Sequence, residues 1–327
     1  MTGPDPAVAA TRVAVRECLG EFAGAGDRPA LVLVACSGGA DSLALAAATA
    51  FEAPRRGVAA GALVVDHGLQ PGSGAVAREA ADRCAALGLD PVEVVPVRVE
   101  AGAGPEDAAR RARHDAYAAA AARHGASAVL LGHTRDDQAE QVLLGLVRGS
   151  GTRSLAGMPP RRDLLRRPFL QVTRAQTERA CAAQALRPWS DPHNDNDRFT
   201  RVRARRLLAL LRAELDPTVD AALARTADLA RVDADALDAY AEALVADEVA
   251  ARGWGCADLV GHPAAVTRRV WRIRAARLGI PSLSSTHVLA LEELTGRRGL
   301  GPTSLPGGWR ALRRGDRIHI EAPGRVE

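Results

Sequence analysis

Leu31-Val32-Leu33-Val34-Ala35-Cys36-Ser37-Gly38-Gly39-Ala40-Asp41-Ser42 decides the architecture, because an apolar run passes directly into a glycine turn flanked by hydroxyls and a carboxylate. Leu31 to Cys36 have the composition of a strand buried on both faces. Gly38 and Gly39 let the backbone turn tightly and bring N–H groups against an anion with no Cβ in the way. Leu43 to Ala50 read as a helix, and a helix starting at such a turn offers unpaired N–H groups and a partial positive charge. The turn therefore reads as a phosphate cradle, although Gly-Gly alone also fits an ordinary strand-to-helix connection.

Neighbouring residues exclude the two commonest versions of that cradle. The familiar phosphate loop places Lys before its Ser or Thr, and this chain contains no Lys, its 43 basic residues all being Arg. A dinucleotide fingerprint needs G-x-G-x-x-G, whereas here adjacent glycines precede Ala40, Asp41 and Ser42. A bare carboxylate beside a polyphosphate repels it unless a hard cation lies between them, so Asp41 implies a metal ion.

Composition sets wider limits. A length of 327 residues suggests two domains, and 47% hydrophobic with 25% charged residues is an ordinary globular balance with a large core available. The net charge of +4 permits a polyanionic partner without demanding one; a GC-rich genome equally explains Arg in place of Lys. The 5 cysteines are widely spaced with no C-x-x-C pair, which argues for reduced thiols in a cytoplasmic protein and against an iron–sulfur or zinc site. Residues 1–22 lack an apolar leader and read as a short amphipathic helix, and no apolar run is long enough to cross a membrane.

Strand-like runs at Leu31–Cys36, Ala62–Asp66, Val92–Val97 and Ala128–Gly132 alternate with helical stretches at Ala75–Leu87 and Glu106–Arg123. That order predicts an α/β fold with a doubly wound parallel sheet over residues 1–215, whose ligands sit at the carboxyl ends of the strands. Ser37, Asp66 and Gly132 mark three of those ends. Asp66-His67 suits a segment holding adenine and ribose, although a His after a strand is more often a turn residue. Beyond Gly132-His133, a helix starting near Thr134 puts Asp136 and Glu140, and Asp137 and Glu140, on one face. Helix capping explains Asp136 and Asp137 cheaply but not Glu140 or His133; acids near a polyphosphate bind Mg²⁺, a cationic substrate or both.

From Asp216-Pro217 onward the pattern changes to long helices, Val219–Ala251, Ala264–Leu278 and Ser285–Leu294, then to strand-like Arg310–Leu312 and Arg317–Glu321. Residues 216–327 are expected to form a mainly helical second domain with a small terminal hairpin. Arg268, Arg269, Arg272, Arg274, Arg277, Arg297, Arg298, Arg313 and Arg314 suit either phosphate contact or a solvated face paired with acids. Aromatic residues are only 3% of the chain, so base stacking would rest on few of them, such as Trp189, Phe199 or Trp271.

Ser37-Gly38-Gly39-x-Asp41-Ser42 resembles the signature of the PP-loop family, the ATP pyrophosphatases that cleave between the α- and β-phosphates. Five further segments extend the likeness: Asp66-His67-Gly68-Leu69, Ala109-Arg110-x-x-Arg113, Gly132-His133-x-x-Asp136-Asp137-Gln138-Ala139-Glu140, Arg148-Gly149-Ser150-Gly151 and Arg167-Pro168-Phe169-Leu170. With Asp191-Pro192-His193-Asn194 and Arg198, Arg201 and Arg203, they are similar in order to the bacterial tRNA(Ile)-lysidine synthetases, closely over 30–210 and more loosely beyond. That resemblance implies adenylation of the wobble cytidine of a tRNA(Ile) with a CAU anticodon, then displacement of AMP by the side-chain amine of free L-lysine.

Carried over by motif, Ser37, Gly38, Gly39, Ala40, Asp41 and Ser42 hold ATP together with Asp66 and His67, Asp41 acting through Mg²⁺. The resemblance places catalytic roles on Asp41, His133, Asp137 and Arg113, and substrate binding on Asp137, Glu140, Arg110, Arg201 and Arg203. Asp137 and Glu140 would grip lysine, His133 would lie near the α-phosphate, and Arg110 and Arg113 would steady developing phosphate charge. The family's Arg-Asn-x-Ile-Arg stretch is replaced by Arg201-Val202-Arg203, and Thr134 stands where a second His often follows His133. Roles tied to those missing residues do not transfer. A homodimer is compatible with the sequence. Two other readings stay open: a PP-loop enzyme that thiolates tRNA, and a nucleotide-binding regulator of the same fold without turnover.

Overall fold

The computed structural model describes residues 3–24, 29–66, 68, 72–97, 105–149, 151–189, 200–245, 254–259 and 261–323, with only the backbone course for 105–109. His67, Ser150, Phe199 and the Asp191–Arg198 stretch lie outside them. Packing groups the chain into two units, Met1–Leu229 and Ala230–Glu327.

In the first unit, helix α1 (Pro6–Leu19) precedes strand β1 (Leu31–Ala35), helix α2 (Ala40–Glu52), strand β2 (Ala59–Asp66) and helix α3 (Ser73–Ala86). Strand β3 (Val92–Pro96), helix α4 (Pro105–His124), strand β4 (Ala126–Leu131) and helix α5 (Arg135–Val147) follow. The order β3-β2-β1-β4 is parallel throughout, with Leu33 in register with both Gly61 and Val129. The expected doubly wound sheet is present, its strands shifted by a few residues at their ends.

Alternation along the strands separates two apolar layers. Val32, Val34, Ala62 and Val64 pack with Leu43, Leu45, Val15 and Ala80 from α1, α2 and α3. Leu33, Leu63, Val129 and Leu131 pack on the opposite side with Tyr117, Ala120 and Ala121 of α4. Helix α2 is buried on nearly every side, and its alanines allow that close packing.

Two short strands lengthen the sheet beyond what the sequence pattern suggests. Helix α6 (Thr152–Leu155) leads to strands β5 (Arg161–Arg162) and β6 (Leu165–Arg166); β6 lies parallel to β4, and β5 is antiparallel at the edge. Helix α7 (Arg174–Ala183) packs on α1 and α2. Helix α8 (Thr200–Glu214) packs on α5, and helix α9 (Val219–Val245) starts after the Asp216-Pro217 turn, where the Asp216 carboxylate accepts from the Thr218 N–H at 2.6 Å.

The second unit holds the rest of α9, strand β7 (Trp254–Gly255), helices α10 (Ala264–Arg277) and α11 (Ser285–Gly296), and strands β8 (Thr303–Ser304), β9 (Arg310–Arg314) and β10 (Arg317–Glu321). The expected hairpin is the centre of a four-stranded antiparallel sheet, β7-β10-β9-β8. Two sequence expectations fail here. Arg274 is not part of a basic surface: it is 1% exposed, with its guanidinium 5.1 Å from the Trp254 ring and 5.2 Å from the Trp271 ring. Trp271 is 1% exposed in the same core and presents no face to a base. Many of the remaining arginines pair with acids, Arg268 with Glu292, Arg269 with Asp238, Arg277 with Glu242 and Arg298 with Asp316. No helix among the described residues is long and apolar enough to cross a membrane.

One glycine sets how closely β4 approaches the glycine turn. A Cβ on Gly132 would lie 3.0 Å from both the carbonyl carbon and oxygen of Asp41, which are backbone atoms that cannot rotate away. Gly132→Ala is therefore expected to cost about 1–3 kcal/mol, read as a lowered Tm, whereas Gly296→Ala, with nothing within 4 Å, is expected to leave Tm unchanged or raised.

Candidate active site

The glycine turn links β1 to α2 as its sequence requires. Gly38 has φ of +83°, in the left-handed region, and its carbonyl accepts from the Trp189 N–H at 2.9 Å. Gly39 is the extended N-cap of α2 and supplies no side-chain cap, which leaves that helix end suited to an anion. Ser42 holds the turn together from within: its hydroxyl accepts from the Ser37 N–H at 3.1 Å and donates to the Gly39 carbonyl at 3.0 Å, with the Ser37 hydroxyl 3.2 Å away. Ala40 begins α2, and its carbonyl accepts from the Cys181 thiol at 3.4 Å. At the neighbouring strand end, Asp66 accepts from the Gly68 N–H at 3.0 Å.

Opposite the turn, α5 starts with a reciprocal cap. The Thr134 hydroxyl accepts from the Asp137 N–H at 3.4 Å, and Asp137 Oδ2 accepts from the Thr134 N–H at 2.8 Å. Asp137 thus has the capping role weighed from sequence, but only one of its oxygens is engaged in it. Gln138 turns the other way and clasps the Met158 backbone, at 2.7 Å to its N–H and 3.1 Å to its carbonyl. Glu140, 3% exposed, faces the site.

Arg174, at the start of α7, joins these two halves. Its Nε lies 3.5 Å from Asp41 Oδ2, its Nη2 2.8 Å from Asp137 Oδ1 and its Nη1 3.4 Å from Glu140 Oε1. Its backbone N–H donates to Asp136 Oδ2 at 2.9 Å. Arg205 of α8 adds a second cation, with Nε 3.0 Å from the same Glu140 Oε1. Glu140 Oε2 is buried with no hydrogen-bond partner among the described residues. The Thr177 hydroxyl donates to Asp41 Oδ1.

The electrostatics follow from burial and these contacts. Burial lifts the Asp41 carboxyl to about 6, against the opposing pull of Thr177 and Arg174. For Asp137 burial also acts upward, but Arg174 and the Thr134 N–H outweigh it and keep the carboxyl below its ordinary range. Burial opposes the charge on Arg174, yet Asp137, Asp41 and Glu140 overcome that and hold its proton more firmly than usual. Burial, reinforced by Arg167, Arg201 and Arg110 against Asp137, pushes the His133 imidazole down to about 4, so it is neutral at pH 7. His133 Nδ1 is buried with no partner among the described residues.

The candidates from sequence thus separate into groups. Asp41, Asp137 and Glu140 converge on one guanidinium. His133 lies within electrostatic range of Arg110, Arg167 and Arg201. Arg110 and Arg113 are exposed on α4, and Arg203 lies on the first turn of α8 with Nη2 3.4 Å from the Thr200 hydroxyl. Sequence reading assigned no role to Arg174, nothing beyond a family motif to Arg167, and only phosphate contact or a solvated face to Arg205. Arg167 is 4% exposed and donates to the Pro159 carbonyl at 2.8 Å; its Nε is buried without a partner among the described residues. Burial, with Arg110 and Arg162 nearby, lowers its guanidinium to about 10. Cys36 also has a partner that sequence spacing concealed: hydrogen bonding with Cys84 draws the Cys36 thiol below the ordinary thiol range.

No group of three or more His, Cys, Asp or Glu residues is gathered as a metal cage among the described residues. A single carboxylate beside a phosphate nest fits Mg²⁺ instead, which takes one or two carboxylates and completes its shell with substrate phosphates and water.

Comparison with known proteins gives the family. Residues 13–211 match the family model of the PP-loop domain. The chain is 51% identical to the tRNA(Ile)-lysidine synthase of Streptomyces coelicolor, over 97% of this chain and 99% of that protein. It is 50% identical to the tRNA(Ile)-lysidine synthase of Thermobifida fusca, over 98% of this chain and 100% of that protein. Among solved structures, the U34-tRNA thiolase NcsA of Methanococcus maripaludis, with its [4Fe-4S] cluster, superposes with a TM-score of 0.58 at 15% identity, covering 69% of this chain and 79% of that one. That likeness extends to the fold alone, whereas the sequence matches run nearly end to end. The chain is an ATP-using enzyme that belongs to the PP-loop family and, within it, to the tRNA(Ile)-lysidine synthases.

Proposed function

We propose that the enzyme joins free L-lysine to C2 of the wobble cytidine of a tRNA(Ile) with a CAU anticodon, through an adenylated cytidine, releasing pyrophosphate and AMP. The observation that carries this reading is the reach of one side chain. Arg174 touches both Asp41 at the phosphate turn and the Asp137–Glu140 pair, so a nucleotide phosphate and a cationic amine would be held side by side. A regulator that only binds nucleotide has little use for three acids gathered there. Near end-to-end identity to lysidine synthases favours ligation over thiolation.

In the first step the cytidine O2 attacks the α-phosphorus and the bond to the β-phosphate oxygen breaks. Ser37, Gly38, Gly39, Ala40 and the N-terminus of α2 hold the departing pyrophosphate, with Ser42 keeping the turn in shape and Asp66, at the end of β2, serving the nucleoside. Mg²⁺, held through Asp41, would neutralise phosphate charge. His133 donates a hydrogen bond to the α-phosphate, and Arg110, Arg113 and Arg167 supply positive charge around it. In the second step Asp137 and Glu140 hold the lysine ammonium and take up the proton it sheds; the amine attacks C2 and the C2–O bond to AMP breaks. Arg201 and Arg203 on α8, with the second unit, Ala230–Glu327, contact RNA phosphates.

The two acids are expected to fail at different steps. Asp41→Ala abolishes adenylation, lowering pyrophosphate release by about 10²-fold or more. Glu140→Ala still adenylates but strands the adenylated RNA, seen by mass spectrometry of digested product; equal loss of both steps in both variants contradicts the division of labour. For the wild type, pyrophosphate and AMP are expected in equal amounts only when tRNA(Ile) and lysine are both present. Turnover that requires a sulfur donor in place of lysine would favour thiolation, and no turnover with any RNA would favour the regulator.

A further inference from the structure

Arg174 is held where two incoming cations have to go. Mg²⁺ needs the Asp41 carboxylate, and the lysine ammonium needs Asp137 and Glu140; one guanidinium engages all three, at 3.5, 2.8 and 3.4 Å. The acids would hold it and both ligands at once only against repulsion, because a guanidinium beside Mg²⁺ or an ammonium meets like charge at short range. Glu140 is only partly satisfied by protein: Arg174 and Arg205 share its Oε1, while Oε2 is buried without a partner among the described residues. That oxygen suits an added cation better than a second guanidinium on the crowded side.

We infer that Arg174 is an internal placeholder for the amine substrate: it neutralises the empty pocket and is drawn out when Mg²⁺ and nucleotide bind, opening the pocket to lysine. Rejection of the guanidinium by Mg²⁺ at Asp41 and its attraction to the nucleotide phosphates act in the same direction. Asp137 and Glu140 are then released together, since the same side chain holds both. Arg205, which touches Glu140 but neither Asp41 nor Asp137, stays to orient that carboxylate. The arrangement ties amine capture to nucleotide loading: lysine finds its carboxylates free only in an enzyme already carrying the phosphate to be cleaved. In thermodynamic terms nucleotide and lysine bind with positive coupling, and Arg174 is the element both displace. The inference rests on the ligase reading and adds to it a positioning residue and an order of loading.

The test measures the affinity of free L-lysine by calorimetry, for wild type and Arg174→Gln, with and without Mg²⁺ and a non-cleavable α,β-methylene ATP analogue. Wild type is expected to bind lysine about five- to tenfold more tightly with the nucleotide present. Arg174→Gln is expected to bind lysine tightly without nucleotide, with the coupling reduced to within about twofold; Arg174→Lys restores weak binding and part of the coupling. A residue that merely orders the site would act in the opposite direction, so weaker lysine binding by Arg174→Gln in both states overturns the inference. Should Arg174→Gln fail to fold, equal lysine affinity of the wild type with and without nucleotide overturns it. A wild type that binds no lysine in any state contradicts the ligase reading itself, and this inference with it.

Discussion

One guanidinium surrounded by carboxylates is the constraint on which the site depends. Asp41 comes from the turn after β1, Asp137 and Glu140 from the helix after β4, and Arg174 from a helix packed on the far side of the turn. Without the cation, three acids would stand close together with their charges uncompensated. The cluster is also unfinished, because Glu140 Oε2 and His133 Nδ1 lack partners among the described residues. A buried carboxylate oxygen without a partner carries a desolvation cost that a bound cation would offset.

The fold supports this cluster through close backbone contact. Adjacent parallel strands β1 and β4 bring their carboxyl ends together, and Gly132 lets β4 come within contact of the Asp41 backbone. Ser42 ties the glycine turn internally, so the N–H groups that would meet phosphate are set in place before any ligand arrives. Thr134 fixes Asp137 through one oxygen and leaves the other for Arg174. The Thr177 hydroxyl does the same for Asp41, engaging one oxygen and leaving the other for Arg174.

Much of this was legible in the sequence, and the exceptions have physical causes. Fully buried parallel strands announce themselves as apolar runs, and a turn needing positive φ announces itself as glycine, so the sheet and the phosphate turn were read from residues 31–42. Strands β5 and β6 carry Arg161-Arg162 and Leu165-Arg166, two residues each, and have no period to detect. Strands β7 and β8 are equally short, which is why the terminal hairpin was not read as a four-stranded sheet. Asp137 and Glu140 were found because they share a helix face. Arg174 was not, because it meets them only through tertiary folding, from a helix whose own sequence reads as an ordinary capped segment. Arg274 misled for a related reason: charge suggested a surface, but two tryptophans provide a face for the guanidinium inside the core.

The most direct test of the account locates the metal. In crystals grown with Mn²⁺ in place of Mg²⁺, a non-cleavable ATP analogue and L-lysine, the anomalous signal is predicted at coordinating distance from the Asp41 carboxylate. The nucleotide phosphates should then line the Ser37–Ser42 turn, with the Arg174 guanidinium withdrawn from Asp41 toward them. Manganese bound elsewhere, with Arg174 still bridging Asp41, Asp137 and Glu140 beneath a bound nucleotide, would contradict it.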